Sequence, residues 1–292
     1  MSVWFSSGAF KSRDISNVLS EAESLGIQGI ELSSGMSYQQ DILAPVRAQN
    51  KADKQRFLVH NYFPPPEIPF VLNVGALDEE NLVKTREMGR FSLQLAKELG
   101  APFYSIHAGF AARLKPEQLG KPKEQARSIT ADDIDREAAY EVMIQTVREM
   151  ADFAATLQLD VLIENNVISP LYLEKMPLNP LLLTEGKEAA QFFVDIDRDN
   201  VGLLLDVAHT KVSATALGFK PDAFVEQVAE HVRCLHLSDN DGREDSNQPF
   251  DETAWFIPWL KDFSDREMVI EAYRLEPEVM LSQRDLLERI IA

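Results

Sequence analysis

The stretch "NVGLLLDVAHTKV" (Asn200–Val212) sets a near-continuous apolar run directly ahead of Asp206, with His209 three residues on. A strand half in water alternates apolar and polar residues, whereas a continuous run marks one covered on both faces, as in parallel sheets. A charge at the end of such a strand needs a compensating partner. The same arrangement recurs at "DVLIENN" with Glu164, "RCLHLSD" with His236 and "EMVIEAY" with Glu271.

Working outward, the remaining strand candidates are "SVWFSS", "GIELSS", "RFLVHNY" and "PFYSIHAG". Helical patterns separate them. Over 12–26, Ile15, Val18, Leu19, Ala22 and Leu25 repeat near the 3.6 period and stop at Gly26. Longer patterns cover 78–99 and 132–158, and shorter ones 41–52, 185–198, 221–231, 252–262 and 280–291. Eight β-α units in 292 residues predict a single-domain (β/α)8 barrel over 1–292. The competing doubly wound sheet wants a glycine-rich first β-α turn, but "SSGAFKSRD" has one glycine.

Long segments follow the third, fourth and fifth strands: "NYFPPPEIPFVLNVG" (61–75), "AGFAARLKPEQLGKPKEQARSITADD" (108–133) and "ISPLYLEKMPLNPLLLTEG" (168–186). The prolines of the first forbid helix or central strand. All three extend the C-terminal face, where barrel active sites lie.

The formal charge is −18, from 29 Lys+Arg against 47 Asp+Glu. That balance disfavours electrostatic capture of nucleic acid or an anionic membrane. No apolar run is long enough to span a bilayer, and "MSVWFSSGAF" reads as a first strand rather than a signal peptide. With a single cysteine, Cys234, the chain forms no internal disulfide, and a cytoplasmic location is expected. The sequence leaves open whether copies associate as a homo-oligomer.

His60, His107, Glu164, Asp206, His236 and Glu271 fall at the ends of strands three to eight, which a barrel gathers at one mouth. Three carboxylates and three imidazoles suit a divalent cation such as Mn, Zn, Co or Mg. Without one, crowded carboxylates repel and take up protons. His231 precedes the seventh strand and reads as structural. Trp4, Phe5, Tyr62, Phe63 and Phe110 lie near strand ends, where they either wall a sugar or pack the core. No phosphate cradle is evident, and the loop "SDNDGRED" is acidic, so an unphosphorylated substrate is expected; Lys11, Arg13, Lys211 and Arg274 are the cations that would argue otherwise.

The motifs "LIENN", "LLLDVAHT", "CLHLSDNDG" and "VIEAY" together resemble the xylose-isomerase-like TIM barrels, a superfamily of sugar isomerases, epimerases, inositol-pathway enzymes and endonuclease IV type abasic-site endonucleases. In the ketose 3-epimerase branch, the resemblance implies one metal held by Glu164, Asp206, His236 and Glu271, with His209 and, one position displaced, Arg243 on the substrate. The endonuclease branch implies further metals, for which His60, His107, His209 and Asp251 are the matching positions. That branch's Asp-Arg-His histidine falls on Thr253, which removes one ligand.

The expected activity is a metal-dependent sugar isomerase or epimerase working through an enediolate, with Glu164 and Glu271 moving the carbon-bound proton and His60, His107 and His209 serving substrate hydroxyls or a second metal. Loss of water from the same enediolate would make a sugar or inositol dehydratase. The alternatives are an endonuclease-IV-like phosphodiesterase and a non-catalytic binding barrel.

Overall fold

A computed structural model describes residues 3–118, 130–176 and 178–292. The part of the fourth-strand insertion at 119–129 and Pro177 of the fifth-strand insertion lie outside the described residues. Strands β1 (Val3–Ser6), β2 (Gly29–Leu32), β3 (Arg56–His60), β4 (Phe103–His107), β5 (Asp160–Glu164), β6 (Val201–Asp206), β7 (Val232–Leu237) and β8 (Glu267–Ile270) form a closed barrel in chain order. Every pairing is parallel, and β8 closes on β1 through Val3↔Met268, Trp4↔Val269 and Phe5↔Ile270. All six residues of β6 are buried, as its continuous apolar run requires.

The helices stand where the sequence puts starts and stops. Asp14, Asp78 and Asp135 cap α1 (Ile15–Ser24), α3 (Glu79–Leu99) and α4 (Arg136–Thr156), each carboxylate accepting from first-turn backbone N–H groups. Between them lies α2 (Leu43–Lys51). Gly100, at φ 74°, ends α3 in the left-handed conformation. The short α5 (Pro170–Leu173) and then α6 (Gly186–Ile196) follow β5.

Two features differ from the sequence expectation. Residues Val207–Leu217, directly after Asp206, form a helix, α7, that the periodicity does not announce. Its residues Val207, Ala208, His209, Thr210, Val212, Ser213 and Ala214 are all buried, so no single apolar stripe exists to be read. The expected helix at 252–262 is reduced to the turn α9 (Ile257–Leu260) and a 3-10 turn at Lys261–Phe263. The helix α8 (Pro221–Val228) and the last helix, α10 (Pro277–Ile291), complete the layer.

The insertions are tied to one another. The Asn73 side chain accepts from Gly75 N and Phe110 N and donates to Phe110 O. Gly75 and Gly109 pass so closely that a Cβ on Gly109 would lie 2.7 Å from Gly75 N. From β5, the Asn166 amide donates to the carbonyls of Ala108, Gly109 and Leu182. A small second core of Ile168, Tyr172 and Met176 packs among these loops, separate from the main core. The three long segments therefore form a built wall on the C-terminal face.

Candidate metal centre and cavity

Strand register sets the mouth. His107 pairs with Glu164 across β4–β5, and Asp206 with His236 across β6–β7. Glu271 follows β8 directly, its backbone N–H bonded to Leu237 O. Glu164, Asp206, His236 and Glu271 are all buried and each offers a ligand atom, the four atoms lying within 4.8 Å of one another. Glu164 also approaches the other imidazoles: Oε2 is 3.4 Å from His60 Nε2 and 3.3 Å from His107 Nε2, while Oε1 is 3.3 Å from His236 Nδ1. His236 Nδ1 is 2.6 Å from Glu271 Oε2.

The segment after Asp206 is shaped by that residue and by Asn165. The Asp206 side chain caps α7 by accepting from His209 N at 2.7 Å. The Asn165 carbonyl lies 2.8 Å from His209 Nδ1, and its amide bridges Asp206 O and Thr210 Oγ1. His209 is thereby held with Nε2 towards Asp206 Oδ2 at 3.6 Å and Asp245 Oδ2 at 3.3 Å.

The electrostatics follow from packing opposite charges in a dry place. Burial alone would raise the Glu164 carboxyl, yet His107, His236 and His60 hold it well below its ordinary value. Burial opposes a charge on His236, but Glu271, Glu31 and Glu164 raise it well above the ordinary imidazole value. His209 is raised in the same way, against burial, by Asp206, Asp245 and Glu164. Asp206 is raised well above the carboxylate range, chiefly by burial, with His209 opposing. Burial takes His107 the other way, down to about 4, so it is neutral at pH 7.

Two atoms of the quartet, Glu164 Oε2 and His236 Nδ1, are buried without a hydrogen-bond partner. One orphaned carboxylate oxygen, and an imidazole nitrogen that meets Glu271 Oε2 at 2.6 Å without hydrogen-bond alignment, fit a divalent cation, and oxygen plus imidazole donors suit the Mn, Zn or Co class. His60, His107 and Glu164 form a second group within the same 4.8 Å limit.

Above the quartet opens a cavity of about 840 Å³. Among the described residues, its lining includes His107, Glu164, His209, Asp245 and Glu271 together with apolar and polar loop residues, and no lysine or arginine.

The family model described as xylose isomerase-like TIM barrel matches residues 19–273. The chain belongs to this family. Three solved structures illustrate how far the xylose isomerase-like likeness extends. A D-tagatose 3-epimerase-like protein is 17% identical with a TM-score of 0.73, covering 100% of this chain and 97% of its own. The D-psicose 3-epimerase of Clostridium cellulolyticum H10, solved with D-tagatose, is 14% identical with a TM-score of 0.65 (100% and 96% covered). An AP endonuclease, family 2, from Brucella melitensis is 16% identical with a TM-score of 0.62 (94% and 93% covered). At such identities the likeness is one of fold. A search of the curated proteins found no significant match.

Within this xylose isomerase-like barrel, His60, His107, Glu164, Asp206, His209, His236 and Glu271 come together at the mouth, but Arg243 and Asp251 do not. The loop after β7 doubles back through mutual backbone hydrogen bonds between Asp239 and Gln248, 2.8 Å each. Arg243 sits exposed in that excursion, its backbone N–H bonded to Asp241. Asp251 lies beyond the returning arm, exposed, with Oδ1 accepting from the backbone and hydroxyl of Thr253. The expectation that these two reach the mouth is corrected on that ground. Glu244 and Asp245, unannounced by any motif, are the residues of that loop that line the cavity. Among the aromatics, Tyr62 and Phe110 line the cavity, whereas Trp4, Phe5 and Phe63 are core. His231 stacks on Phe193, centroids 4.3 Å apart, as a structural residue. Of the cations that would favour a phosphate, Lys211 is held by Asp239 at 2.6 Å and Lys11 by Glu276. Glu31, on β2, was legible only as a strand residue; it backs His236 from inside the barrel. Among the described residues, no helix is long and apolar enough to cross a membrane.

Proposed function

We propose that this protein is a divalent-metal-dependent isomerase or epimerase of an unphosphorylated sugar. One observation carries the reading: Glu164, Asp206, His236 and Glu271 offer ligand atoms within 4.8 Å of one another, with Glu164 and Glu271 in the lining of a cavity to which, among the described residues, no lysine or arginine contributes. The fold shared with D-tagatose- and D-psicose-type 3-epimerases supports it.

The quartet would hold the cation, which would supply Lewis acidity at the substrate carbonyl. The residues of the chain do the rest. Glu164 and Glu271 reach the mouth from non-adjacent strands and flank the sugar carbon next to the carbonyl. One carboxylate takes the proton from that carbon, and the electron pair moves onto the carbonyl oxygen to give an enediolate. The other carboxyl group, once it has taken up a proton from water, returns that proton from the opposite face, inverting the centre. Tyr273 donates to Glu271 Oε1 at 3.2 Å and orients that carboxylate. His107, neutral at pH 7, and His209 are placed to bond substrate hydroxyls. The apolar loops keep water from the enediolate. Since the described residues of the lining are acidic and include no Lys or Arg, an anionic substrate is disfavoured.

The test is to load the protein with Mn, Co, Zn or Mg and screen ketoses and aldoses in heavy water by NMR. Solvent deuterium entering one carbon of one sugar supports the reading; metal-loaded protein that exchanges no carbon-bound proton in any of them overturns it. A second reading, a metal-dependent phosphodiesterase, is favoured by the further group His60, His107 and Glu164. Counting metal separates the two: one ion per chain favours the isomerase, two or three the hydrolase, and cleavage of an abasic duplex would establish the latter.

A further inference from the structure

The loop after β7 brings into the cavity two carboxylates that stand outside the quartet, Glu244 and Asp245. Asp245 is the one tied to the centre. His209 Nε2 lies 3.3 Å from Asp245 Oδ2 and 3.6 Å from Asp206 Oδ2, and its Nδ1 lies 3.6 Å from Glu164 Oε1. One imidazole therefore separates Asp245 from two members of the quartet. A ligand group that touches Asp245 lies close to the carbon that reacts.

The neighbours of this carboxylate hold it in place. The Asn247 side chain is buried, and its amide nitrogen donates to Asp245 Oδ1 at 2.8 Å and Oδ2 at 3.2 Å. Asn247 stands at φ 43°, a left-handed conformation in which asparagine is enriched. Its carbonyl accepts from Tyr273 N at 2.9 Å, and the Asp239–Gln248 pairing closes the loop behind it. A carboxylate only accepts hydrogen bonds, and its two oxygens offer about four positions. Asn247 and His209 fill part of these. Asp245 lines the cavity with 25% of its side chain exposed, which leaves acceptor capacity for a donor on the ligand.

We propose that Asp245 binds substrate and sets specificity, its carboxylate accepting a hydrogen bond from one sugar hydroxyl close to the reacting carbon. This rests on the sugar reading above and names a feature its substrate must carry. A sugar that lacks this hydroxyl leaves a fixed charge without its donor, and such a site rejects it.

The test is calorimetric titration of metal-loaded protein with D-fructose, D-tagatose, L-sorbose, D-glucose and D-xylose, each beside its singly deoxygenated analogues. For one hydroxyl of at least one sugar, removal is expected to weaken binding about tenfold or more, the scale of a hydrogen bond to a charged group. Asp245→Ala is expected to shrink that penalty at least about threefold, to leave the penalties for the other hydroxyls unchanged, and to keep the metal content of the parent. Should that variant fail to fold, Asn247→Gly, which tolerates the left-handed turn and removes only the amide, carries the same expectation. A penalty left unmoved, a variant that weakens every sugar and analogue alike, or a variant that has lost an ion would overturn the proposal while leaving the sugar reading in place. A parent protein that binds none of the sugars strikes both.

Discussion

Glu31 Oε2 lies 3.0 Å from His236 Nε2, and neither side chain has any exposure. The other nitrogen of the same ring, Nδ1, faces Glu271 and Glu164. An imidazole that donates Nε2–H to a carboxylate keeps its Nδ1 lone pair for a cation, and such a partner also raises ligand basicity. Glu31→Gln keeps an acceptor but removes the charge. Metal affinity is expected to fall by about tenfold, the lower end of what loss of such partners costs. Chelator competition measures it, and unchanged affinity would remove Glu31 from this role.

Glu164→Gln and Glu271→Gln are each expected to abolish exchange of the carbon-bound proton, a loss of at least about 10²-fold. Metal content, measured on the same samples, separates loss of a base from loss of a ligand. Full exchange activity in either variant would refute that residue's part in proton transfer.

The pH dependence has a definite sign. His236, His209 and Asp206 are all shifted upward in the metal-free fold, so at His236 and Asp206 a cation competes with protons at higher pH than it would at ordinary groups. Metal affinity should therefore fall as pH is lowered, and loading at neutral pH should release protons. The raised histidines give the metal-free protein stability that is complete below the unfolded value near 6.5 and disappears as pH rises through their folded values. Raised Asp206 acts in the same direction, from 3.8 upward. The rise in Tm on adding metal should thus grow between about pH 6 and pH 8. A constant or shrinking increment would contradict it.

Gly109→Ala would drive a methyl to 2.7 Å from Gly75 N and 2.9 Å from Gly75 Cα. Backbone cannot swing aside as a side-chain tip can, so the two insertions must part. We expect a loss of about 1–3 kcal/mol, the usual cost of overpacking, read by denaturant unfolding. A variant as stable as the parent would show that the two loops separate freely.

The barrel was legible because strands such as β5 and β6 are near-continuously apolar and end on residues such as Glu164 and Asp206 that a shared mouth satisfies. The helix Val207–Leu217 was hidden because it buries polar residues (His209, Thr210 and Ser213) along with apolar ones, which blurs the stripe that periodicity detects. Glu31 was hidden for the opposite reason: one acid in an apolar strand carries no sign of what it meets across the barrel. Asp245, Arg243 and Asp251 share one loop whose course is decided by the Asp239–Gln248 pairing, ten residues of context that no local motif encodes. Spacing therefore found the residues anchored on strands and misplaced those carried by the loop.

The pairing of β8 with β1 has a consequence for how the protein comes into being. Glu271 stands one residue past the strand whose partner begins at Val3, so the ring closes with contacts more than 260 positions apart in the chain. Such distant contacts are slow to form. On the ribosome, Glu164, Asp206 and His236 emerge well before Glu271, and until the seam zips shut they remain an incomplete claw with surplus negative charge. The four side chains therefore come within reach of one another only once the ring has shut.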